Sequence, residues 1–187
     1  MLKLMPNLLT SAERQLAEQY WTIREPLLPP CAQCTNAVIS LGDYLSETFL
    51  VHKKHLIEEV MKEPLMGTYA FTRIYYHNSK LAKHKDIFSC EVSVTINIMA
   101  DKDWKIWFSK DDSISNFTAK PGEAIAYEGT EYDHWRDAYE GQKCIQVLLH
   151  YVYANGKNKN WIDTGRISRF RAAQQNNHKS QMESLIQ

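Results

Sequence analysis

The chain lacks the features that mark membrane and nucleic-acid-binding proteins. No apolar run approaches the roughly 20 residues that a transmembrane helix needs. The N-terminal stretch MLKLMPNLLTSAERQ has no small-residue cleavage site after an apolar core, so we expect no signal peptide. No polybasic block is present, and 22 Lys and Arg residues balance 22 Asp and Glu residues to a formal net charge of zero. We therefore expect no membrane partner and no nucleic-acid partner.

Cysteine is also scarce, with four in 187 residues. Without a secretion signal, this number predicts reduced thiols and a cytoplasmic location. The fractions of hydrophobic residues (44%) and charged residues (24%) are ordinary for a globular chain. The length predicts a single domain over residues 1–187 with a sizeable core. Nothing in the sequence indicates the oligomeric state.

The N-terminal part of the chain has helical patterns. SAERQLAEQYW predicts a helix from Ser11 to Trp21, with Ser11 as its cap. REPLLPPCAQC contains three prolines and predicts a loop. From Leu41 to Lys62, apolar residues recur at helical spacing and predict one or two amphipathic helices that end before Pro64.

After Gly67 the pattern changes to that of β-strands. The predicted strands are TYAFTRIYY, CEVSVTINIM, WKIWF, the segment after the Pro-Gly turn of KPGEAIAYEG, and KCIQVLLHYVY. Helices followed by antiparallel-type strands predict an α+β, mainly β fold, with helices on one face of a β-sandwich or barrel. We expect supporting helices in residues 1–65, the β core in 66–153, and a polar C-terminal tail, compatible with a helix, in 154–187.

One histidine and one aspartate stand two residues apart before the alternating strand. LAKHKDIF contains His84 and Asp86, and His134 in YDHWRDAYEGQK follows 48 residues after Asp86. Two histidines and one carboxylate on one face form the ligand set of non-haem Fe(II) oxygenases. The alternative is that His84 and Asp86 share a loop hydrogen bond and that His134 is a partly buried core residue.

The order of strand, His-x-Asp, alternating strand, Pro-Gly strand and histidine resembles the 2-oxoglutarate/Fe(II)-dependent dioxygenase superfamily, in its prolyl-4-hydroxylase-like branch. The resemblance covers roughly Tyr69 to Tyr153. It implies a double-stranded β-helix (jelly-roll, cupin-like) core with N-terminal supporting helices. It also implies Fe(II) bound by His84, Asp86 and His134, with 2-oxoglutarate and O2 as cosubstrates. The implied reaction hydroxylates a C–H bond of a small molecule or peptide side chain and releases succinate and CO2.

The resemblance further implies a cation for the far carboxylate of 2-oxoglutarate, on the strand after the distal histidine. Lys143, nine residues after His134, is the first candidate. Lys143 shares strand parity with the apolar residue Ile145, however, so it faces the site only if a bulge turns it inward. Arg136 and Arg73 are the reserve cations.

Aromatic residues supply a second set of candidates. Tyr75 stands nine residues before His84, near where the family often places a tyrosine that hydrogen bonds the cosubstrate. Core packing is the alternative role for Tyr75. Other aromatic residues either wall the pocket or belong to the core: Trp104, Trp107, Phe108 and Trp135.

Three alternative hypotheses about metal binding and function remain open. Cys31-x2-Cys34 and His52-x2-His55 offer two pairs of zinc-ligand residues, or else two loop thiols and two surface histidines. A cupin-like metalloenzyme that does not use 2-oxoglutarate would share the barrel, although such sites often carry His-x-His. A non-catalytic jelly-roll binding protein would share the fold, although three intact ligand candidates argue against a decayed site.

Overall fold

The structure is a computed structural model that describes residues 1–161. Most of the predicted C-terminal tail therefore lies outside the described residues. In chain order the elements are β1 (Leu2–Met5), α1 (Ser11–Arg24), β2 (Ala37–Leu41), α2 (Tyr44–His52), α3 (Lys54–Met61), β3 (Leu65–Tyr76), β4 (Leu81–His84), β5 (Val92–Ala100), β6 (Ile106–Lys110), β7 (Ser113–Phe117), β8 (Ala124–Tyr127), β9 (Asp133–Arg136) and β10 (Lys143–Tyr153). Single 3₁₀ turns occur at Glu25–Leu27, Phe88–Cys90 and Lys159–Trp161.

The strands form two antiparallel sheets that enclose a cavity. The major sheet has the order β1-β8-β5-β10-β3-β2, and the minor sheet has the order β4-β9-β6-β7. Strands distant in sequence lie side by side in each sheet, as in a jelly roll. The predicted mainly β fold, a double-stranded β-helix with supporting helices, is confirmed.

Strand alternation decides which side chains face the helices and which face the cavity. Ile96 of β5 and Val147 of β10 belong to the main apolar core, together with Trp21 of α1 and Ile57 of α3. Successive residues of a strand point to opposite faces of the sheet. Polar side chains such as Gln146 therefore lie on the inner face of the major sheet, between the two sheets.

The N-terminal helices match the prediction in position but differ in their ends. The N-cap of α1 is Thr10 rather than Ser11, because the backbone of Thr10 is extended and its side chain accepts a hydrogen bond from the Glu13 amide at 3.2 Å. Glu13 in turn accepts from the Thr10 amide at 2.8 Å, which completes a capping box. The second helical stretch is divided into α2 and α3, with Lys53 between them.

Five strands were not predicted from the sequence, namely β1, β2, β4, β7 and β9. Residues 1–65 contribute β1 and β2 to the two edges of the major sheet, so this segment is not purely helical. These strands have only four or five residues each, and they lack the Pro-Gly turn that marks β8 and the aromatic run WKIWF that marks β6. The division of residues 1–187 into helices, core and tail stays a prediction. No helix within residues 1–161 is both long enough and apolar enough to cross a membrane.

Candidate active site

Strand pairing brings the three candidate metal ligands together. His84 at the end of β4 pairs directly with His134 of β9, and their ring centroids lie 4.3 Å apart. Asp86 follows β4, and its backbone amide donates to the Gly129 carbonyl at 2.9 Å. One ligand atom from each of His84, Asp86 and His134 lies within 4.8 Å of the others.

Two backbone carbonyls fix the orientation of the histidine rings. Nδ1 of His84 lies 2.8 Å from the Ala82 carbonyl, and Nδ1 of His134 lies 3.2 Å from the Tyr132 carbonyl. Because a carbonyl oxygen only accepts, each Nδ1 carries the proton and each Nε2 presents a lone pair. Both Nε2 atoms lie 3.7 Å from Asp86 Oδ1. Three donor atoms therefore converge on one point.

The protonation state of the site suits a metal ion. Burial lowers the pKa of His134, the carboxylate of Asp86 partly opposes this, and His84 lowers it further. The net decrease keeps the His134 ring neutral, which is the form that ligates metals. The side chain of His134 is 3% exposed and that of His84 is 40% exposed, so the site is open to solvent on the His84 side.

Two hydrogen-bonded side chains, Ser93 and His150, support the Asp86 carboxylate. Ser93 Oγ donates to Asp86 Oδ2 at 2.6 Å and lies 2.9 Å from Nδ1 of His150. Since the single Ser93 proton goes to Asp86, His150 Nδ1 donates to the Ser93 oxygen. The hydroxyl of Tyr127 lies 3.4 Å from His134 Nε2. Sequence reasoning assigned no role to these residues, although Ser93 lies on the polar side of the alternating strand.

Gly129 leaves the space that Asp86 occupies, which gives a first prediction. A Cβ at position 129 would lie closer than 3.0 Å to Asp86 Oδ2, Cys90 O and Ser93 Oγ. Gly129→Ala should therefore displace the carboxylate and lower the affinity for a divalent metal about 10- to 100-fold, as the loss of a supporting group does. Titration of the metal-free protein with Mn(II) or Fe(II) measures this change.

Gly67→Ala is the matched control for Gly129→Ala. A Cβ at Gly67 meets only the flexible side chain of Leu50, on the helix side of the major sheet. This variant should keep the metal affinity of the parent chain. Equal metal affinities for Gly129→Ala and Gly67→Ala would show that Asp86 is not a ligand.

A cavity of about 200 Å³ extends from the three ligands into the space between the sheets. Both sheets contribute to its wall, and the residues that line it include Arg73, Tyr75, Thr95, Tyr127, Arg136 and Leu148. The two reserve cations and the candidate tyrosine thus lie in the same cavity as the ligand triad. The volume suits a small organic acid rather than only one water molecule.

Arg73 carries a buried positive charge toward this cavity. Its side chain is almost fully buried, and it donates to the Tyr75 hydroxyl at 3.1 Å and to Gln33 Oε1 at 2.7 Å. Its Nε has no hydrogen-bond partner in the described part of the chain. No carboxylate among residues 1–161 forms an ion pair with Arg73. A buried donor and charge without a carboxylate partner among the described residues fit an anionic ligand.

Arg136 approaches the same region from the minor sheet. One of its nitrogens donates to the Trp104 carbonyl at 2.7 Å, and the guanidinium lies 4.7 Å from the centre of the Trp104 ring. Burial lowers the pKa of Arg136, whereas the neighbouring Tyr75 raises it. The positive charges of Arg73 and Arg136 both act on the Tyr75 phenol, whose pKa is raised overall by burial. Burial therefore keeps the proton on Tyr75 despite the two nearby positive charges.

The structure places Lys143 outside the residues that line the cavity. Its ammonium lies 3.0 Å from Glu25 Oε2, on the helix side of the major sheet. The irregularity between β10 and β5 falls at Ile145/Gln146, whereas β10 pairs with β3 in unbroken register from Lys143 to His150. Because no bulge turns the start of β10, strand parity keeps Lys143 away from the cavity.

The predicted aromatic wall is divided between three places. Trp104 packs against Arg136 beside the cavity, with its ring 4.9 Å from that of Tyr75. Phe108 is a buried core residue in contact with Tyr127. The other two residues, Trp107 and Trp135, stack at 6.2 Å on the opposite face of the minor sheet.

The alternative zinc site does not form. Cys31 and Cys34 are buried in one cluster with Tyr75 and Trp104. The His52 side chain is instead 63% exposed and lies 3.6 Å from Glu13. Within residues 1–161, the group that can hold a metal ion is His84, Asp86 and His134.

Neither a family model nor a curated protein matches this sequence. Several solved structures, in contrast, have a fold similar to that of this chain. A prolyl-4-hydroxylase from Pseudomonas putida superposes with a TM-score of 0.64 at 13% identity, covering 81% of this chain and 92% of that one. An oxidoreductase of the 2OG-Fe(II) oxygenase family from Burkholderia pseudomallei gives 0.65 at 14% identity, covering 84% and 86%. HygX from Streptomyces hygroscopicus, with nickel, 2-oxoglutarate and hygromycin B bound, gives 0.64 at 9% identity, covering 82% and 83%.

These similarities establish the class of fold. The chain has the double-stranded β-helix fold of the 2-oxoglutarate/Fe(II) oxygenases, including the prolyl-4-hydroxylase branch. The resemblance that the sequence motifs carried is confirmed at this level. A shared fold does not by itself assign an activity, so the activity has to be argued from the site.

Proposed function

We propose that this protein is a non-haem Fe(II)- and 2-oxoglutarate-dependent oxygenase. The observation that carries the proposal is the convergence of His84 Nε2, Asp86 Oδ1 and His134 Nε2 beside a cavity with two buried arginines. Two histidines and one carboxylate, with further positions left open, are the donor set of this class of iron site. The two arginines give the cavity a preference for anions, and the cavity adjoins the three donor atoms. It therefore fits a 2-oxo acid.

The residues of the chain hold, orient and shield the reacting groups. His84, Asp86 and His134 would hold Fe(II), with the ring orientations set by backbone carbonyls and the carboxylate set by Ser93. Bound iron, 2-oxoglutarate and O2 together supply the oxidative decarboxylation to succinate and CO2 and the oxidation of a substrate C–H bond. The buried ring of Phe108 lies next to His134, with ring centroids 6.1 Å apart, and so helps to keep water from that side of the ligand.

The far carboxylate of 2-oxoglutarate would bind at Arg73, Arg136 and Tyr75. A buried carboxylate requires a cation, and hydrogen bonds between charged groups are the strong ones. Arg73 offers an Nε that has no hydrogen-bond partner among residues 1–161, and Tyr75 offers its hydroxyl proton. The two arginines thus take the role that sequence spacing gave to Lys143.

We further propose that the substrate is a small molecule or a peptide side chain and that its carbon is hydroxylated. HygX, which has the same fold, was solved with hygromycin B bound. In this chain, Lys85 and Ile87 line the cavity beside the partly exposed His84. A substrate would approach the ligand triad from this side.

Anaerobic addition of Fe(II) and then 2-oxoglutarate should produce a weak visible charge-transfer band in the purified protein. The band arises only when the 2-oxo acid chelates iron, so it tests both groups together. Succinate release in air measures the coupled reaction. Iron binding without the band would favour a cupin-like metalloenzyme that does not use 2-oxoglutarate. If neither iron binding nor the charge-transfer band is observed, the remaining hypothesis is a non-catalytic jelly-roll binding protein.

A further inference from the structure

Two cysteines lie beside the arginine side of the cavity, outside the metal site. Cys31 and Cys34 belong to the loop between α1 and β2 and are 9% and 3% exposed. The loop is held against β2, since the Cys31 amide donates to the Ala37 carbonyl at 2.8 Å. Both cysteines are free thiols, and both belong to the same buried cluster as Tyr75 and Trp104. The two side chains, three positions apart in one loop, therefore lie in the same small region of the folded chain.

The surroundings make the two thiols chemically unequal. The hydrogen bond from Cys34 lowers the pKa of Cys31 to about 5, although burial opposes this, and the charge of Arg73 lowers it further. The same hydrogen bond, together with burial, raises the pKa of Cys34. Cys31 is thus the cysteine of the pair that loses its proton more readily. A stabilised thiolate next to a second thiol is the arrangement of reactive Cys-x-x-Cys pairs.

We propose that Cys31 and Cys34 form a reversible disulfide when the protein meets a peroxide. The Cys31 thiolate attacks one peroxide oxygen, the O–O bond breaks and hydroxide leaves, which gives a sulfenic acid on Cys31. The Cys34 sulfur then attacks that sulfur, its proton joins the departing hydroxyl group, and water leaves. Two thiols and one hydrogen peroxide thus give one disulfide and two waters. A dithiol reductant reverses the change by thiol–disulfide exchange.

The pair is connected to the cavity through one side chain. Gln33 lies between the two cysteines, lines the cavity and accepts the 2.7 Å hydrogen bond from Arg73. Oxidation also replaces the negative thiolate beside Arg73 by a neutral disulfide. A neighbouring anion competes with a ligand carboxylate for the same cation. If Arg73 binds 2-oxoglutarate as proposed above, the oxidised form should bind this dicarboxylate more tightly than the reduced form.

The test uses the metal-free full chain, so that iron and peroxide do not react with each other. The protein is treated with one equivalent of hydrogen peroxide, alkylated with iodoacetamide under denaturing conditions and digested with trypsin. The peptide 25–53 contains both Cys31 and Cys34 and no other cysteine, whereas 86–102 contains Cys90 and 144–157 contains Cys144. In peptide 25–53 neither cysteine should be alkylated, and the peptide should be lighter than its unalkylated dithiol form by two hydrogens. Dithiothreitol added before alkylation should restore the alkylation of both cysteines.

The other two cysteines are internal controls, because they have different neighbours: Cys90 Sγ lies 3.1 Å from the Tyr69 hydroxyl, and Cys144 Sγ accepts a hydrogen bond from the Gln146 amide at 3.1 Å. Full alkylation of all four cysteines after peroxide treatment would overturn the proposal. Cys34→Ser should leave a sulfenic acid on Cys31 that dimedone traps, while Cys90→Ser should still form the disulfide. The mass readout needs neither metal nor cosubstrate, so its failure is distinct from failure of the oxygenase proposal. Equal 2-oxoglutarate affinities in the two redox forms would overturn the connection to Arg73.

Discussion

Replacing His134 with alanine is expected to abolish Fe(II)-dependent turnover of 2-oxoglutarate, with a loss of at least about 100-fold in metal affinity. His134 supplies a buried, neutral Nε2, and no other His, Cys, Asp or Glu in the described part of the chain joins His84 and Asp86 in its place. The two remaining ligands would hold the ion weakly, and the charge-transfer band with 2-oxoglutarate should disappear. Succinate release and metal content after gel filtration measure the two effects separately.

His77→Ala is the matched control for this variant. His77 is exposed and contacts the Gly141 carbonyl at 3.3 Å, away from the residues that line the cavity. His77→Ala should keep both the charge-transfer band and the turnover of 2-oxoglutarate, whereas His134→Ala should lose both and still unfold cooperatively. A His134→Ala protein that retains iron and turnover would show that the triad is not the metal site.

The sequence alone was sufficient to bring together the proposed metal-ligand set, because the order and spacing of its motifs resemble those of the 2-oxoglutarate/Fe(II) oxygenases. His84 and Asp86 are neighbours in the chain, and their distance from His134 fits the strands between them. The pairing of β4 with β9 then places His84 opposite His134. The alternation of β5 and β10 was also readable, since their helix-facing residues are almost all apolar. Such patterns require no knowledge of the tertiary structure.

The supporting groups could not be predicted, because they come from different strands that meet only in the folded sheets. Ser93 acquires its role by contacting Asp86, and His150 acquires its role by contacting Ser93. Gly129 matters only because Asp86 lies against it. None of these contacts leaves a periodic signal in the sequence.

Lys143 shows how two sequence signals can disagree. Its spacing from His134 indicated the cosubstrate cation, whereas its parity with Ile145 indicated the helix side of the sheet. The structure follows parity, and the ion pair with Glu25 satisfies the charge of Lys143. Parity is fixed by backbone geometry in a regular strand, whereas spacing varies with the length of the preceding loop.

Arg73→Met should raise the dissociation constant of 2-oxoglutarate about 10- to 100-fold while leaving Fe(II) affinity unchanged. A hydrogen bond to a charged group contributes about 1.5–3 kcal/mol, and each 1.4 kcal/mol corresponds to about a factor of ten. The methionine has a similar length and fills the space beside Phe71 and Tyr75, over which the guanidinium lies at 5.2 and 5.6 Å. Anaerobic titration of the iron-loaded protein, followed by the charge-transfer band, gives the constant directly.

Two further variants separate charge from geometry in this prediction. Arg73→Lys keeps a cation but not the planar pair of donors, so it should fall between the parent chain and Arg73→Met. Lys143→Ala removes a cation that already pairs with Glu25 on the other side of the sheet, so it should bind 2-oxoglutarate like the parent chain. The opposite pattern, with Lys143→Ala impaired and Arg73→Met unaffected, would return the cosubstrate carboxylate to the start of β10. That outcome would require the first residues of β10 to rotate when the cosubstrate binds, because their side chains otherwise alternate in fixed register with β3.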